Sequence, residues 1–393
     1  MLDAIVAGHL CVDLIPEIDR ATAESASFME PGRLTESGRL TVSTGGAVSN
    51  TGISMHRLGL DVRLVARLGN DTTGFLARDL VAAHSRTLSE HLSFSEGEPS
   101  SYTLVISPPG IDRTFLHCPG TNNTFGPEDL SPELLSRARL LHFGYPTLMR
   151  RMFADGGGEL AALLKRGRDA GATVSLDMAM PDPARPSGQA DWQAICGRAL
   201  PMVDLFVPSA EELLYMLRQE RFLELADTVG QAGMLDALGC DEIVGLAEQA
   251  LDLGARVVLL KLGHRGCYLR SREVPDDVGG ALTPLVGQWR HKELWVPVYV
   301  AEVVTTTGAG DAAIAGFLGG ILRGQSAGQA LRSAAAVGAC NVEAADATSG
   351  VRTWQETQAR IQSGWAHRAM DCPARGWSWD EDGQVWIGPR DRH

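Results

Sequence analysis

Short apolar runs in this chain keep returning between stretches of helical composition, and that alternation narrows the fold more than any other feature. Arg256 to Gly266 reads R-V-V-L-L-K-L-G-H-R-G, whose four-residue apolar core suits a strand buried on both faces. Comparable runs lie at 3–7, 61–66, 139–143, 172–177, 203–207 and 267–270. Helical stretches lie near 49–58, 73–84, 157–170, 210–218, 242–253, 311–323 and 326–343. Strand and helix in alternation predict an α/β fold, a central and mostly parallel sheet flanked by helices. Two regions break the rhythm. Residues 13–42 and 99–124 mix polar and apolar positions, as in Ser101 to Ser107 and Arg113 to His117, the pattern of strands with one wet face.

Composition removes several classes. The chain has 393 residues, 44% of them hydrophobic, enough for one large core with a small appendage. A formal charge of −13 without a basic tract argues against nucleic-acid binding. No apolar run approaches the ~18 residues a membrane helix needs, and no cationic-then-apolar leader is present. The seven cysteines, at 11, 118, 196, 240, 267, 340 and 372, are odd in number and form no C-x-x-C pair. Neither a disulfide framework nor a zinc site is indicated, and reduced thiols in the cytoplasm are the simplest expectation.

The chemistry is concentrated in Val303 to Leu322, V-V-T-T-T-G-A-G-D-A-A-I-A-G-F-L-G-G-I-L. A short apolar strand, a glycine turn and a helix N-terminus follow one another. The N–H groups of Gly308, Ala309, Gly310 and Asp311 are expected to point outward, unpaired, at the positive end of the helix dipole, where phosphate binds readily. Asp311 stands beside that anion site, where a carboxylate can take a proton from an attacking hydroxyl. A donor cradle next to a base is what phosphoryl transfer needs, because positioning and charge stabilisation do most of the work.

Thr306 to Asp311 resembles the second signature of the PfkB carbohydrate kinases, the ribokinase-like family, which usually reads D-T-x-G-A-G-D. Thr44 to Gly59, T-G-G-A-V-S-N-T-G-I-S-M-H-R-L-G, is similar to the first signature, and Val62 to Gly74 to the G-x-D-x-x-G turn that follows it. Together these segments carry the resemblance over about residues 4–355. It implies a ribokinase-like α/β fold with a small β-sheet lid. The core is placed at 1–12, 43–98 and 125–363, the lid at 13–42 and 99–124, and a tryptophan-rich extension at 364–393. It also implies an ATP-dependent kinase of a small hydroxylated substrate, most simply a sugar. Asp311 is then the base and the amides of 308–311 the anion hole.

The resemblance further implies that Asp13, Gly45, Gly46, Asn50 and the lid residue Arg113 hold the substrate. Lys261, Gly263, Gly266 and Thr306 border the nucleotide, with the 335–350 segment beside the adenosine. Glu212 acts on Mg²⁺ through water, although Glu211 and Glu212 could equally form a solvated helix face. Thr305 and Thr307 are candidates for a monovalent cation, potassium in the family. The chain departs from the family twice. Thr305 replaces the aspartate that opens the second signature, and Ser209 stands where the N-x-x-E motif has asparagine. Residues 271–299 exceed a compact family member and are read as an enlarged flap over ATP. The tail, with four of eight tryptophans, is expected to dock on the core or on a partner subunit, and the lid is a candidate homodimer interface.

Two other functions stay open on the sequence alone. A nucleoside kinase of the same family would need an apolar slot, for which Phe143, Tyr145, Phe115 and His117 are candidates. A catalytically silent member that binds ligand or partner is motivated by Thr305 and Ser209. A dinucleotide oxidoreductase would need G-x-G-x-x-G after the first strand, and Gly8-His9-Leu10 is not that.

Overall fold

A computed structural model describes residues 1–25, 28, 30–109, 114–370 and 373–392. Its strands, in chain order, are β1 (Leu2–Gly8), β2 (Cys11–Pro16), β3 (Leu40–Gly45), β4 (Val62–Gly69), β5 (His91–Ser95), β6 (Tyr102–Ile106), β7 (Thr114–Cys118) and β8 (Ala138–Gly144). β9 (Thr173–Leu176), β10 (Leu205–Phe206), β11 (Val257–Lys261), β12 (Cys267–Ser271), β13 (Glu293–Val296), β14 (Ser378–Asp380) and β15 (Val385–Ile387) complete them. The large sheet runs β14-β15-β13-β12-β11-β10-β9-β8-β1-β4-β5. From β5 to β11 every pairing is parallel, and from β11 to β14 every pairing is antiparallel. A separate four-stranded sheet, β3-β2-β6-β7, stands beside it.

Alternation along β1 explains the layering. Ala4 and Val6 enter one core and Leu2, Ile5 and Ala7 the other, so the strand is apolar on both faces and needs helices on both. The helix Ala309–Leu322 is buried on all sides, which its run of alanine, glycine, isoleucine, leucine and phenylalanine permits. It packs on Ala327–Asn341 and on Ala47–Arg57. Among the described residues no helix is long and apolar enough to cross a membrane.

The insert does not form a flap over the nucleotide. β12 runs antiparallel to β11 and sets Ser271 opposite Val257, at the amino-terminal end of the parallel strands. Residues 272–292 leave the sheet there. Thr173 Oγ1, at the start of β9, donates to the Val278 carbonyl at 2.9 Å and accepts from the amides of Ala281 and Leu282 at 3.0 and 3.1 Å. Trp289 is fully buried, edge-on to Phe317 at 5.6 Å. The insert thus seals the end of the sheet away from the strand carboxyl ends, and only its last residues, Val298 and Tyr299, turn back to the other side.

The tryptophan-rich tail docks on its own core. β15 pairs with β13, and β14 with β15, adding two strands at the sheet edge. Glu293, fully buried, accepts from the Arg390 amide at 2.7 Å, its guanidinium at 3.0 Å and the Tyr268 hydroxyl at 3.1 Å. Trp377 packs on Tyr268 and Trp295, and Trp365 stacks on Tyr299. Aromatic area of this size holds a short segment that its own backbone pairing would not.

Candidate active site

The carboxyl ends of the parallel strands gather the polar groups, as open α/β sheets require. Tyr145 follows β8, Asp177 follows β9, Ser209 follows β10, and Lys261 ends β11. A cavity of about 970 Å³ opens there, bordered by Tyr145, Glu212, Lys261, Gly308, Gly310 and Asp311 among others.

Asp311 lies in the first turn of Ala309–Leu322 and is only 4% exposed. Asn50 Nδ2 donates to its Oδ2 at 3.1 Å, Thr51 Oγ1 to its Oδ1 at 3.2 Å, and the Tyr145 hydroxyl reaches both oxygens at 2.9 Å. Burial raises the Asp311 pKa above its ordinary value, while Lys261 and these donors pull it back. The helix opens at Gly308, which has φ 73° and lies so close to residue 347 that an added Cβ would fall 2.4 Å from the Ala347 carbonyl. Only glycine fits that turn. Of the four amides expected to face the anion, Ala309 does not: it donates to the Thr306 carbonyl at 3.2 Å, closing the turn. Among the described residues the Gly308, Gly310 and Asp311 amides have no partner, so the cradle has three donors.

Lys261 stands beside the cradle. A Cβ on Gly310 would lie 3.8 Å from its Nζ. The ammonium donates to Asp177 Oδ1 at 2.6 Å, with Asp177 fully buried. Burial opposes the lysine charge, yet Asp177 and Glu212 more than offset it, so its pKa is raised and the ammonium persists. Burial likewise pushes Asp177 up against the pull of Lys261.

A second polar cluster continues from Tyr145. His9 Nε2 meets His117 Nε2 at 3.4 Å, His117 Nδ1 meets Thr103 Oγ1 at 3.0 Å, and the Tyr145 ring lies 6.2 Å from that of His9. Burial first and His117 second hold His9 at about 3, and burial lowers His117, so both rings are neutral at physiological pH. Asp13 is partly buried in β2 opposite Ser43, with its pKa raised by burial. A Cβ at Gly45 would fall 2.3 Å from Asp13 Oδ2, so the first glycine of T-G-G makes room for that carboxylate.

A model for the pfkB family carbohydrate kinases matches residues 1–354. The chain belongs to the pfkB carbohydrate kinase family. It is a phosphotransferase with an alcohol group as acceptor. An ATP-dependent ribose-1-phosphate kinase of Halopiger xanaduensis is 26% identical over 340 residues, covering 86% of this chain and 91% of that protein. A probable fructokinase-5 of Arabidopsis thaliana is 22% identical over 314 residues, covering 79% and 80%. The solved structure of Arabidopsis thaliana ribokinase complexed with ribose and ATP shares the fold at a TM-score of 0.69 and 20% identity, covering 92% of this chain and 99% of that one.

The pfkB kinase brings most of the residues singled out from its sequence into one place. Asp311, Gly308, Ala309, Gly310, Lys261, Gly263, Gly266, Thr306 and Glu212 all border the cavity, as do Ala335, Gly338, Ala339 and Val342 of the 335–350 segment. Asn50 is turned to Asp311 rather than into open space. Arg113 lies outside the described residues. Phe143, a candidate for a nucleoside slot, packs against Phe125 in the core on the other face of β8 from His142 and Gly144. The roles of Tyr145, Thr51, Asp177 and His9 around the carboxylate were missed. Asp177 and His9 carried one usable signal, a polar residue directly after a buried strand.

The donor set fits a hard cation riding on a nucleotide. Glu212 spends Oε2 on the Ser209 amide at 2.7 Å in a capping box, and its Oε1 has no hydrogen-bond partner among the described residues. Ser209, in the place of asparagine, thus anchors the glutamate through the helix start. One free carboxylate oxygen beside phosphates suits magnesium, which keeps most of its waters.

Proposed function

We propose that this kinase transfers the γ-phosphate of ATP to a hydroxyl of a small uncharged carbohydrate, with Asp311 as the base. The observation that carries the reading is the buried Asp311 carboxylate beside three amides that have no partner among the described residues and the Lys261 ammonium. The acceptor lies between Asp13, Gly45, Gly46 and the His9–His117 pair, with Asn50 aligning the base. The γ-phosphate lies on the Gly308, Gly310 and Asp311 amides. The rest of ATP extends past Thr306, Gly263 and Gly266 toward the 335–350 segment. Magnesium, held by Glu212 through water, offsets phosphate charge in a site that already contains the carboxylates of Asp13, Asp177, Glu212 and Asp311 and the Lys261 ammonium. Thr305 and Thr307 remain a proposed monovalent-cation site; their hydroxyls lie 3.1 Å apart. Turnover compared in potassium and in choline chloride tests it.

Relatives named for fructose and for ribose-1-phosphate pose a choice of acceptor. The His9 and His117 imidazoles are neutral and Asp13 is a carboxylate, so this group suits hydroxyls, and the nearby Lys261 ammonium is already paired with Asp177, which supports a neutral sugar. The test is ADP release with MgATP across ribose, fructose, 2-keto-3-deoxygluconate, ribose-1-phosphate and adenosine, with Asp311→Asn alongside. Release that depends on a neutral sugar and is lost in the variant is expected. Tight MgATP binding without release for any acceptor would replace this reading with a silent member. One face of the lid leaves Leu40, Tyr102 and Leu116 exposed, an apolar patch for a second copy, and sedimentation of the kinase checks that homodimer.

A further inference from the structure

Three side chains make four hydrogen bonds to Asp311, and an ionised carboxylate has room for about four. Asn50 and Thr51 reach it from the buried helix Ala47–Arg57, and neither borders the cavity. Tyr145 does border it, standing between the His9 ring and the Asp311 carboxylate, and its hydroxyl bridges both carboxylate oxygens. The phenol therefore occupies the face of Asp311 that is turned to the cavity, where any hydroxyl giving up a proton must arrive.

We propose that the Tyr145 hydroxyl holds the acceptor's place on Asp311, keeping water off the base until a sugar hydroxyl displaces it. Tyr145 is then the residue that separates sugar from water as phosphoryl acceptor. The inference rests on the reading of Asp311 as base. Two further features favour a displaceable side chain. Tyr145 has φ 63° and ψ 45°, the left-handed region, which a residue with a Cβ occupies only under constraint. A backbone shift that carries the phenol off Asp311 relieves that strain. Burial, and then Asp311, also push the phenol pKa well above its ordinary value, so the group remains a proton donor and does not itself serve as base. The step it prevents is hydrolysis. A water proton would pass to Asp311, the water oxygen would bond to the γ-phosphorus, the bond from that phosphorus to the β,γ-bridging oxygen would break, and ADP and inorganic phosphate would leave.

The test needs no acceptor. ADP and phosphate release from MgATP alone is measured for the full chain, Tyr145→Phe, Tyr145→Leu, Asp311→Asn and the Tyr145→Phe/Asp311→Asn double variant, each checked by thermal melting. Removal of a hydrogen bond to a charged group predicts a rise in acceptor-free hydrolysis of about ten- to a hundredfold in Tyr145→Phe, abolished in the double variant. A gain of activity is not a consequence of structural damage. Folded Tyr145→Phe and Tyr145→Leu proteins without such a rise overturn the proposal. If Asp311→Asn has by then lost ribose- or fructose-dependent turnover, the base assignment stands without it. A rise that persists in the double variant overturns both.

Discussion

The proposed acceptor and nucleotide ends of the site are made of different material. At the acceptor end every functional side chain is held by another: Asp311 by Asn50, Thr51 and Tyr145, Lys261 by Asp177, His117 by Thr103. At the nucleotide end the walls are mostly apolar, Val298, Val300, Ala301, Ala335, Ala339 and Val342, with backbone turns at Gly263 and Gly266 and the polar side chains of His264 and Thr306. The first end fixes charge and proton positions to within a hydrogen bond, and a single atom matters there. The second supplies shape, which many apolar residues provide equally well. Substitutions at the acceptor end should therefore act on kcat, and those at the nucleotide end on the KM for ATP.

The largest effect is expected at Asp311. Asp311→Asn keeps the shape and most hydrogen bonds but removes the base, so turnover falls by about two to four decades with the melting temperature little changed. The pH profile sharpens the point. Asp311 must be charged to accept a proton, and burial raises its pKa, so kcat/KM falls as pH drops through a value above the ordinary carboxylate range. An acid limb at the usual carboxylate value, or an Asp311→Asn protein with normal turnover, would remove the asymmetry between the ends.

Lys261 comes next, because it serves both ends. Lys261→Met leaves Asp177, fully buried, without its partner, at a cost of about 3–5 kcal/mol read from urea unfolding. Lys261→Met/Asp177→Asn should be less destabilised than the single variant, since no charge is then stranded. A single variant as stable as the parent would show that the pair carries no structural weight.

Trp289 tests the reassignment of the insert. Trp289→Ala opens a cavity beneath Phe317 and should cost about 3–5 kcal/mol of stability while leaving the KM for ATP unchanged. A large rise in that KM in a folded variant would restore the flap over the nucleotide.

These contrasts follow what the sequence could disclose. The acceptor end was legible because its chemistry sits in contiguous motifs, T-G-G-A-V-S-N where β3 meets a helix and T-T-G-A-G-D at a helix start, although the apolar strand expected before the second motif does not form and Val303 and Val304 are exposed. The Ala309 amide was misread because a turn bond to Thr306 competes locally with the anion cradle. Tyr145 was seen only as apolar lining. Its reach to Asp311 depends on a left-handed backbone at the end of β8, which a side chain with a Cβ does not advertise. The direction of the insert depended on β12 running antiparallel, a choice that periodicity does not contain. β14 and β15 have three residues each, and their extended form comes from pairing with β13 rather than from any pattern of their own.

The smallest effect probes the tail, which lies beyond the family's match at residue 354 yet borders the nucleotide end. The Val300 amide donates to the Ala366 carbonyl and the Arg368 amide to the Val298 carbonyl, at 2.9 and 2.8 Å, so the tail backs that wall through one antiparallel bridge, Tyr299 opposite His367. Tyr299 is stacked between Trp365 and His367 at 4.5 and 4.0 Å. Arg368 borders the cavity and has no carboxylate partner among the described residues, although the chain carries an excess of acids. An exposed cation contributes at most about 1 kcal/mol to an anionic ligand, so Arg368→Ala should raise the KM for ATP about two- to fivefold with kcat and sugar KM unchanged. Trp365→Ala, which removes the stack supporting Tyr299, should move the same constant in the same direction. If Arg368→Ala leaves the ATP constant alone while Trp365→Ala raises it, the tail acts as a buttress and the nucleotide end is shape alone. If both raise it, a segment outside the family's shared length has added a charge to an end built mainly from apolar surface.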